Sequence, residues 1–411
     1  MKNRLDRSKF FLGTYILRPY ARTEAHIKDL ADAGIDVVMC MQSDYEALDL
    51  FAKYGVGAIV NDVLPGWWGG DGDRAGQMAE TNTWDKYDAG VAKFKDHPAI
   101  VGIDTGDEPS ALDFPYYGRV MDYTERHFPG QFAYLNLYPN YASVSQNNDE
   151  QTVNQLGTPT YAEHIAKYCE NVGTDYICYD FYMYSASVAG AYENLRIVAD
   201  AARDTGRSMW IVLQVNSNKP AVWITENQLR FQAYTAMAFG TESIIWACWT
   251  AGWWHNQVLD DKGEKTEQYA KMKLVNHELK ALGETYMKYR RTATHFVGFE
   301  KDHPDLRALA YQPIDALSTG IFFDVKGDAP IVVGQMVGKN AEDGYALMIA
   351  AADDPQDENN KSYEVTFRAN PQLTRTFTAY RGGESSTLLP DADGVYHIPM
   401  TSCGGVLVTA K

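Results

Sequence analysis

The sequence predicts an α/β fold: a (β/α)8 TIM barrel over residues 1–289, followed by an antiparallel β-sandwich over 290–411. Two patterns predict it. Apolar runs alternate with helical spacing through the first two-thirds of the chain, and short strands separated by turn residues fill the remainder. Strands alternating with helices imply a parallel sheet. A chain of 411 residues also exceeds one ordinary core and accommodates two domains.

The first run, FFLGTYIL (10–17), precedes the helical TEAHIKDLADAG, and IDVVMCM (35–41) precedes YEALDLFAKYG. VGAIVND (56–62) leads through a long loop to TWDKYDAGVAKFKDH. AIVGIDTG (99–106), QFAYLNLYP (131–139), DYICYDFYMY (175–184), MWIVLQV (209–215) and ESIIWACW (242–249) follow, with helical stretches such as AGAYENLRIVADAARDTG and TENQLRFQAYTAMAFG between them. A long helical pattern over 266–290 closes the set. Eight strand–helix units in about 290 residues fit a closed barrel. An open doubly wound sheet calls for a Gly-rich phosphate loop after its first strand, and LGTYILRPYART contains none. Beyond residue 290, segments such as TGIFFDVKG, APIVVGQMVGK and SYEVTFRA lack a helical period and read as sandwich strands.

Asp plus Glu outnumber Lys plus Arg by 54 to 37, for a net charge of -17. Phosphate recognition needs clustered cations, so neither nucleic acid nor an anionic membrane is an expected partner. The 27 Tyr and 9 Trp include clusters in expected loops, PGWWGGDGD (65–73) and WACWTAGWWHN (246–256). Aromatic faces stack on the C–H faces of sugar rings while their polar tips meet hydroxyls, which favours a carbohydrate ligand. The five cysteines, at 40, 169, 178, 248 and 403, have no CxxC spacing and no zinc-like grouping with His. Neither a metal nor an organic cofactor is expected. No run approaches the roughly 18 apolar residues of a membrane helix, and the N-terminus lacks a signal-peptide core. The chain as given reads as soluble, with compartment and oligomeric state left open.

Function in this fold sits at the C-terminal ends of the strands. The residues there are Asp44, Asp62, the pair Asp107–Glu108, Asn136, Tyr138, Asn140, Asp180, Tyr182, Tyr184, Gln214, Asn216, Trp246 and Trp249, with Trp253 and His255 in the loop beyond. Carboxylates, amides and aromatics without a Lys or His cluster suit a neutral polyol. Trp67 lies in the glycine-flanked GWWGGDGD, which reads equally as a mobile lid or as a loop packed on the barrel rim.

Asp107–Glu108–Pro109 closes the fourth run. Pro109 is expected to push Glu108 toward an extended backbone. The motif resembles the Asn-Glu-Pro that carries the acid/base Glu in the large clan of retaining (β/α)8 glycosidases. Those enzymes place a nucleophilic Glu at the end of strand 7, where this chain has Gln214, an amide unsuited to forming a glycosyl ester. GDEP (106–109) resembles instead the adjacent Asp–Glu of the substrate-assisted β-N-acetylhexosaminidases, which include a β-N-acetylgalactosaminidase family. A chitinase-like pattern needs an acid two residues before the Glu, and Gly106 stands there.

The hexosaminidase resemblance implies hydrolysis of a β-linked N-acetylhexosaminide, GalNAc before GlcNAc, and the aromatic-rich loops, able to close a small pocket, favour exo over endo action. Asp107 would orient the 2-acetamido group, and Glu108 would protonate the leaving oxygen. One anion beside another raises the second proton affinity and keeps an acid protonated near neutrality. Tyr182 or Tyr184 would bond the acetamido oxygen, and Trp246 or Trp249 would wall the pocket. Asp62, Trp67, Asn136, Asp180, Gln214, Trp253 and His255 are further expected sugar contacts. Two alternatives stand beside this one. The first is another glycosidase type pairing Glu108 with Asp180 or Asp62; the second is a non-catalytic carbohydrate-binding barrel.

Overall fold

The computed structural model describes residues 5–42, 44–63, 75–93, 96–142, 155–307, 309, 312–357, 359–373 and 375–411. Eight strands form one parallel sheet: β1 (Phe11–Tyr15), β2 (Val37–Met41), β3 (Gly57–Val60), β4 (Ile100–Asp107), β5 (Phe132–Asn136), β6 (Tyr176–Asp180), β7 (Ser208–Gln214) and β8 (Thr241–Ala247). They pair in the order β5-β4-β3-β2-β1-β8-β7-β6. A parallel bridge between Leu137 and Tyr179 brings the β5 and β6 edges together, so the sheet closes on itself.

Alternation along each strand explains the two cores. Phe11, Val37, Met39, Ile59, Val101, Tyr134, Tyr176, Trp210, Val212 and Ile245 pack inside the barrel. Their neighbours Leu12, Val38, Ala58, Ile177, Ile211 and Ile244 pack outward against the helices. Those helices are α1 (Glu24–Asp32), α2 (Tyr45–Tyr54), α3 (Met78–Thr81), α4 (Trp84–Ala92), α5 (Phe114–His127), α6 (Tyr161–Asn171), α7 (Val188–Thr205), α8 (Glu226–Ala238) and α9 (Glu267–Tyr286). Their ends follow local chemistry. Thr225 and Gln228 form a capping box at the start of α8, and Gly206, at φ 70°, ends α7 in the left-handed region. Among the described residues no helix is long and apolar enough to cross a membrane.

The remaining strands are β9 (Tyr289–Val297), β10 (Phe322–Gly327), β11 (Ile331–Gly338), β12 (Tyr345–Ala351), β13 (Ser362–Ala369), β14 (Phe377–Arg381), β15 (Glu384–Leu388), β16 (Val395–Thr401) and β17 (Gly405–Ala410). They form two antiparallel sheets, β15-β14-β17-β12-β11-β9 and β10-β13-β16. Val333, Leu347, Ile349, Val365, Phe367, Ile398 and Val408 fill the sandwich interior. Val332, Met336, Met348 and Leu407, on the opposite face of the larger sheet, join the core of the barrel helices. Contact there is close: a Cβ at Gly405 would lie 2.2 Å from the Tyr234 ring of α8, and one at Gly334 would lie 2.3 Å from the Ala238 carbonyl. The sandwich is thus seated on α8, beside the loops that follow β6 and β7.

Candidate active site

The site begins with an irregularity in β4. Its register against β5 shifts between Asp104 and Gly106, and such bulges re-aim side chains near the rims of barrels. The Glu108 amide still donates to the Asn136 carbonyl at 2.9 Å, but Glu108 has φ 48°. The extended conformation expected of a residue before proline is therefore not adopted. The physical reason lies in the hydrogen bond to β5, which holds the amide while the chain turns off the sheet. Successive strand residues point to opposite faces; with this turn, the carboxyls of Asp107 and Glu108 line one cavity. A non-glycine residue held there costs roughly 1–3 kcal/mol and persists where its surroundings over-determine it.

The cavity measures about 590 Å³ and is lined by Tyr15, Asp107, Glu108, Asn136, Tyr138, Tyr141, Ala142, Gln155, Asp180, Tyr182, Trp253 and Trp254. Among these residues are three carboxyl groups and no Lys, Arg or His. Asn136 Nδ2 donates to Asp107 Oδ1 at 3.0 Å and to Asp180 Oδ1 at 2.8 Å. Both of its N–H groups are thereby used, so Asn136 positions two carboxylates. Burial raises Asp107 above the usual carboxylate range, and the Asn136 bond opposes this. Burial, then the Asp107 charge, raises Asp180; hydrogen bonds from Asn136 and Glu108 pull the other way. One layer below, the Cys40 thiol donates to Asp104 Oδ2 at 3.2 Å. Burial first and Asp107 second push Asp104 up to about 7. Burial and the Asp107 charge thus raise the proton affinity of Asp104 and Asp180, the direction a general acid requires.

The aromatic wall is also built from several strands. Tyr15 ends β1, its hydroxyl 2.7 Å from that of Tyr134. Burial lifts the Tyr15 and Tyr182 phenols well above their ordinary value, so both remain O–H groups. Trp253 meets Tyr15 edge-on at 5.8 Å, and Trp254 meets Tyr182 edge-on at 5.0 Å. Asn216 Nδ2 holds the Trp253 carbonyl at 2.7 Å, and Gln257 Nε2 holds that of Trp254 at 2.8 Å.

Of the residues expected from sequence, the structure brings Asp107, Glu108, Asn136, Tyr138, Asp180, Tyr182 and Trp253 to this cavity. Several others lie elsewhere. Gln214 is buried: its Nε2 donates to Ser185 Oγ at 3.1 Å and Asn216 O at 2.9 Å, and its Oε1 accepts from Tyr184 N at 3.2 Å. It ties loops together, facing a neighbouring cleft. Tyr184 donates its hydroxyl to Gln228 O at 2.7 Å, toward α8. Trp246 points outward because its neighbour Ile245 points in; its indole donates to Asn276 Oδ1 on α9 at 2.7 Å. Trp249 packs edge-on against Tyr269 of the same helix at 6.0 Å. His255 is exposed, and its backbone pairs with Ser217. Asp62 is exposed beyond β3 and is not among the lining residues. Trp67 lies outside the described residues.

Sequence reasoning missed Tyr15, Tyr141, Gln155 and Trp254. Tyr15 obeys the same strand-end rule as the others, and Trp254 adjoins Trp253. Tyr141 and Gln155 flank a long connection with no periodic signal. Among the described residues no group of three or more His, Cys, Asp or Glu is arranged to hold a metal ion.

No protein-family model and no curated protein matches this sequence. Solved structures do resemble the fold. A cycloisomaltooligosaccharide glucanotransferase from Paenibacillus sp. aligns over 98% of this chain and 85% of its own, at 8% identity and a TM-score of 0.54. A glucosidase from Croceicoccus marinus aligns over 98% of this chain and 96% of its own, at 10% identity and a TM-score of 0.46. A family 5 mannosidase from Rhizomucor miehei covers 64% of this chain and 91% of its own, at 10% identity and a TM-score of 0.41. The first likeness is one of fold and spans nearly the whole chain.

Proposed function

We propose that this protein is a retaining glycoside hydrolase that releases a terminal β-linked N-acetylhexosamine, with the substrate's own acetamido group as nucleophile. The observation that carries this reading is that Asp107 and Glu108, adjacent in sequence, line one cavity. Glu108 gives its proton to the glycosidic oxygen as the C1–O bond breaks. The acetamido oxygen attacks C1 from the opposite face and forms an oxazolinium ion, while the Asp107 carboxylate accepts the amide N–H. Glu108 then takes a proton from the water that reopens the ring, and C1 keeps its configuration. Tyr182 donates to the acetamido oxygen, and Trp253 and Trp254 offer faces to the sugar.

Three further points support it. Gln214, at the strand-7 position, is an amide engaged in holding loops and supplies no nucleophile. A barrel that only bound sugars would have no need of a general acid beside an orienting carboxylate. The glucanotransferase of similar fold was captured with a cyclic oligosaccharide. The preference for GalNAc over GlcNAc follows from the resemblance of the GDEP motif.

A second reading has its own observation: Asp180 lines the same cavity as Glu108. Asp180 would then be the nucleophile of a glycosidase that accepts plain hexosides. The test compares 4-nitrophenyl β-GalNAc, β-GlcNAc, β-galactoside and β-glucoside, with and without a thiazoline inhibitor. Turnover confined to the acetamido sugars and blocked by thiazoline supports substrate assistance. Turnover of the plain hexosides replaces it with the Asp180 mechanism.

A further inference from the structure

The loops that wall the candidate active site enclose a second cavity on their other side. Tyr182 lines the first cavity, and the next two residues, Met183 and Tyr184, line a cleft of about 730 Å³. The loop between β7 and α8 and two sandwich segments, around 303–305 and 352–356, complete its walls. Backbone contacts tie the two cavities together. Ser217, in the cleft wall, exchanges both backbone hydrogen bonds with His255 at 2.9 Å, one residue from Trp254. Asn256 Nδ2 donates to the carbonyls of Pro220 and Val222 at 3.0 and 2.6 Å. On the sandwich side, Thr225 Oγ1 meets the Pro355 carbonyl at 3.4 Å.

The polar groups of the cleft fall into two sets. Thr225 and Gln228 are engaged in the α8 capping box, and Asp353 accepts from Cys403 N at 2.8 Å and the Tyr363 hydroxyl at 3.3 Å. These form the scaffold. The side chains of Asn218, Lys219, Trp223 and Gln356 also line the cleft, and among the described residues they make no hydrogen bond to the protein. A half-buried indole beside amide and ammonium donors suits a sugar ring, which needs one apolar face and several hydroxyl partners. The surrounding carboxylates of Asp305, Asp353 and Asp354 outweigh Lys219, which disfavours an anionic ligand.

We propose that this cleft is a second carbohydrate subsite, and, resting on the glycosidase reading, that it holds a remote sugar of the same neutral oligosaccharide whose terminal residue occupies the catalytic cavity. Trp223 stacks on that sugar, and Gln356 brings the sandwich into substrate recognition. The preferred substrate is then a glycan chain and not a simple glycoside.

The experiment compares kcat/KM for 4-nitrophenyl β-GalNAc and for a neutral tetrasaccharide capped by β-GalNAc, in the parent protein, Trp223→Ala and Gln356→Ala. The expected result is a loss of tenfold or more on the tetrasaccharide with Trp223→Ala, a smaller loss with Gln356→Ala, and less than twofold change on the nitrophenyl substrate. Equal effects on both substrates, or none on the tetrasaccharide, overturn the subsite. If neither compound is turned over by the parent, the hydrolase reading fails separately. Calorimetric binding of the tetrasaccharide then decides the cleft: weaker binding by Trp223→Ala upholds it, and equal or absent binding overturns it.

Discussion

The β7 side of the barrel rim and the β4–β6 side both end strands in buried polar groups, and they treat them in opposite ways. At β7, Gln214 has its amide nitrogen and oxygen engaged by Ser185, Asn216 and Tyr184, three fixed partners within two loops. At β4–β6, Asp107, Glu108 and Asp180 face a cavity with one amide, Asn136, between two of them and no cation among the described lining residues. Glu108 also has a left-handed backbone. Buried polar groups are ordinarily satisfied, so a saturated amide is a structural element. Asp107, whose charge raises the proton affinity of Asp180, stands beside the strained Glu108 and makes this side the candidate active site. Position at a strand end therefore does not identify a working residue; the partners of its side chain do.

The largest expected effect falls on the strained acid. Glu108→Gln lowers kcat on substrates with poor leaving groups by about 10³-fold while the thermal melt is preserved. Near-normal rates would remove Glu108 from the acid role and level the two sides of the rim. Asp107→Asn comes next, lowering rates on acetamido sugars by about 10²-fold as the partner of the developing charge is lost. An unchanged rate there would sink the orienting role and favour Asp180.

Gln214→Glu sharpens the contrast from the other side. A carboxylate cannot donate to Ser185 and Asn216, so stability falls by about 2 kcal/mol in denaturant unfolding, and no hydrolysis of plain hexosides is gained. A variant as stable as the parent, or one that cleaves β-glucosides, would show that β7 is a dormant catalytic position. The smallest effect belongs to Asp104. Its carboxyl rises from the ordinary 3.8 to about 7, chiefly through burial. A raised carboxyl favours the fold fully below the unfolded value, and that contribution is lost as pH climbs through the folded one. Asp104→Asn accordingly raises the melting temperature by about 2 °C at pH 8 and leaves it unchanged near pH 4. The same shift at both pH values would mean that packing, and not charge, governs the site's base.

Much of the fold was legible because apolar periodicity records burial directly. The alternation of strand and helix patterns to residue 290, and its replacement by short strands, anticipated the parallel barrel and the antiparallel sheets. The rim was legible to about one residue. Asp107, Glu108, Asn136 and Asp180 end three successive strands, and the cavity gathers all four. Trp246 and Trp249 looked equivalent to them, yet both are buried against α9. Aromatic content alone does not distinguish a wall that faces sugar from one that faces a helix.

By itself, the sequence determined the alternation of buried faces, the acidic balance that disfavours polyanions, and the adjacency of Asp107 and Glu108. Only the tertiary structure decided which side chains share a cavity. One step of pleat separates inward Ile245 from outward Trp246, and pleat is reset wherever a strand bulges. The shift between Asp104 and Gly106 and the left-handed turn at Glu108 reset it in β4. Both depend on the fit of β4 against β5, through contacts such as Glu108 N to Asn136 O between residues 28 positions apart. Local pattern carries no record of a hydrogen bond that forms only when distant strands meet.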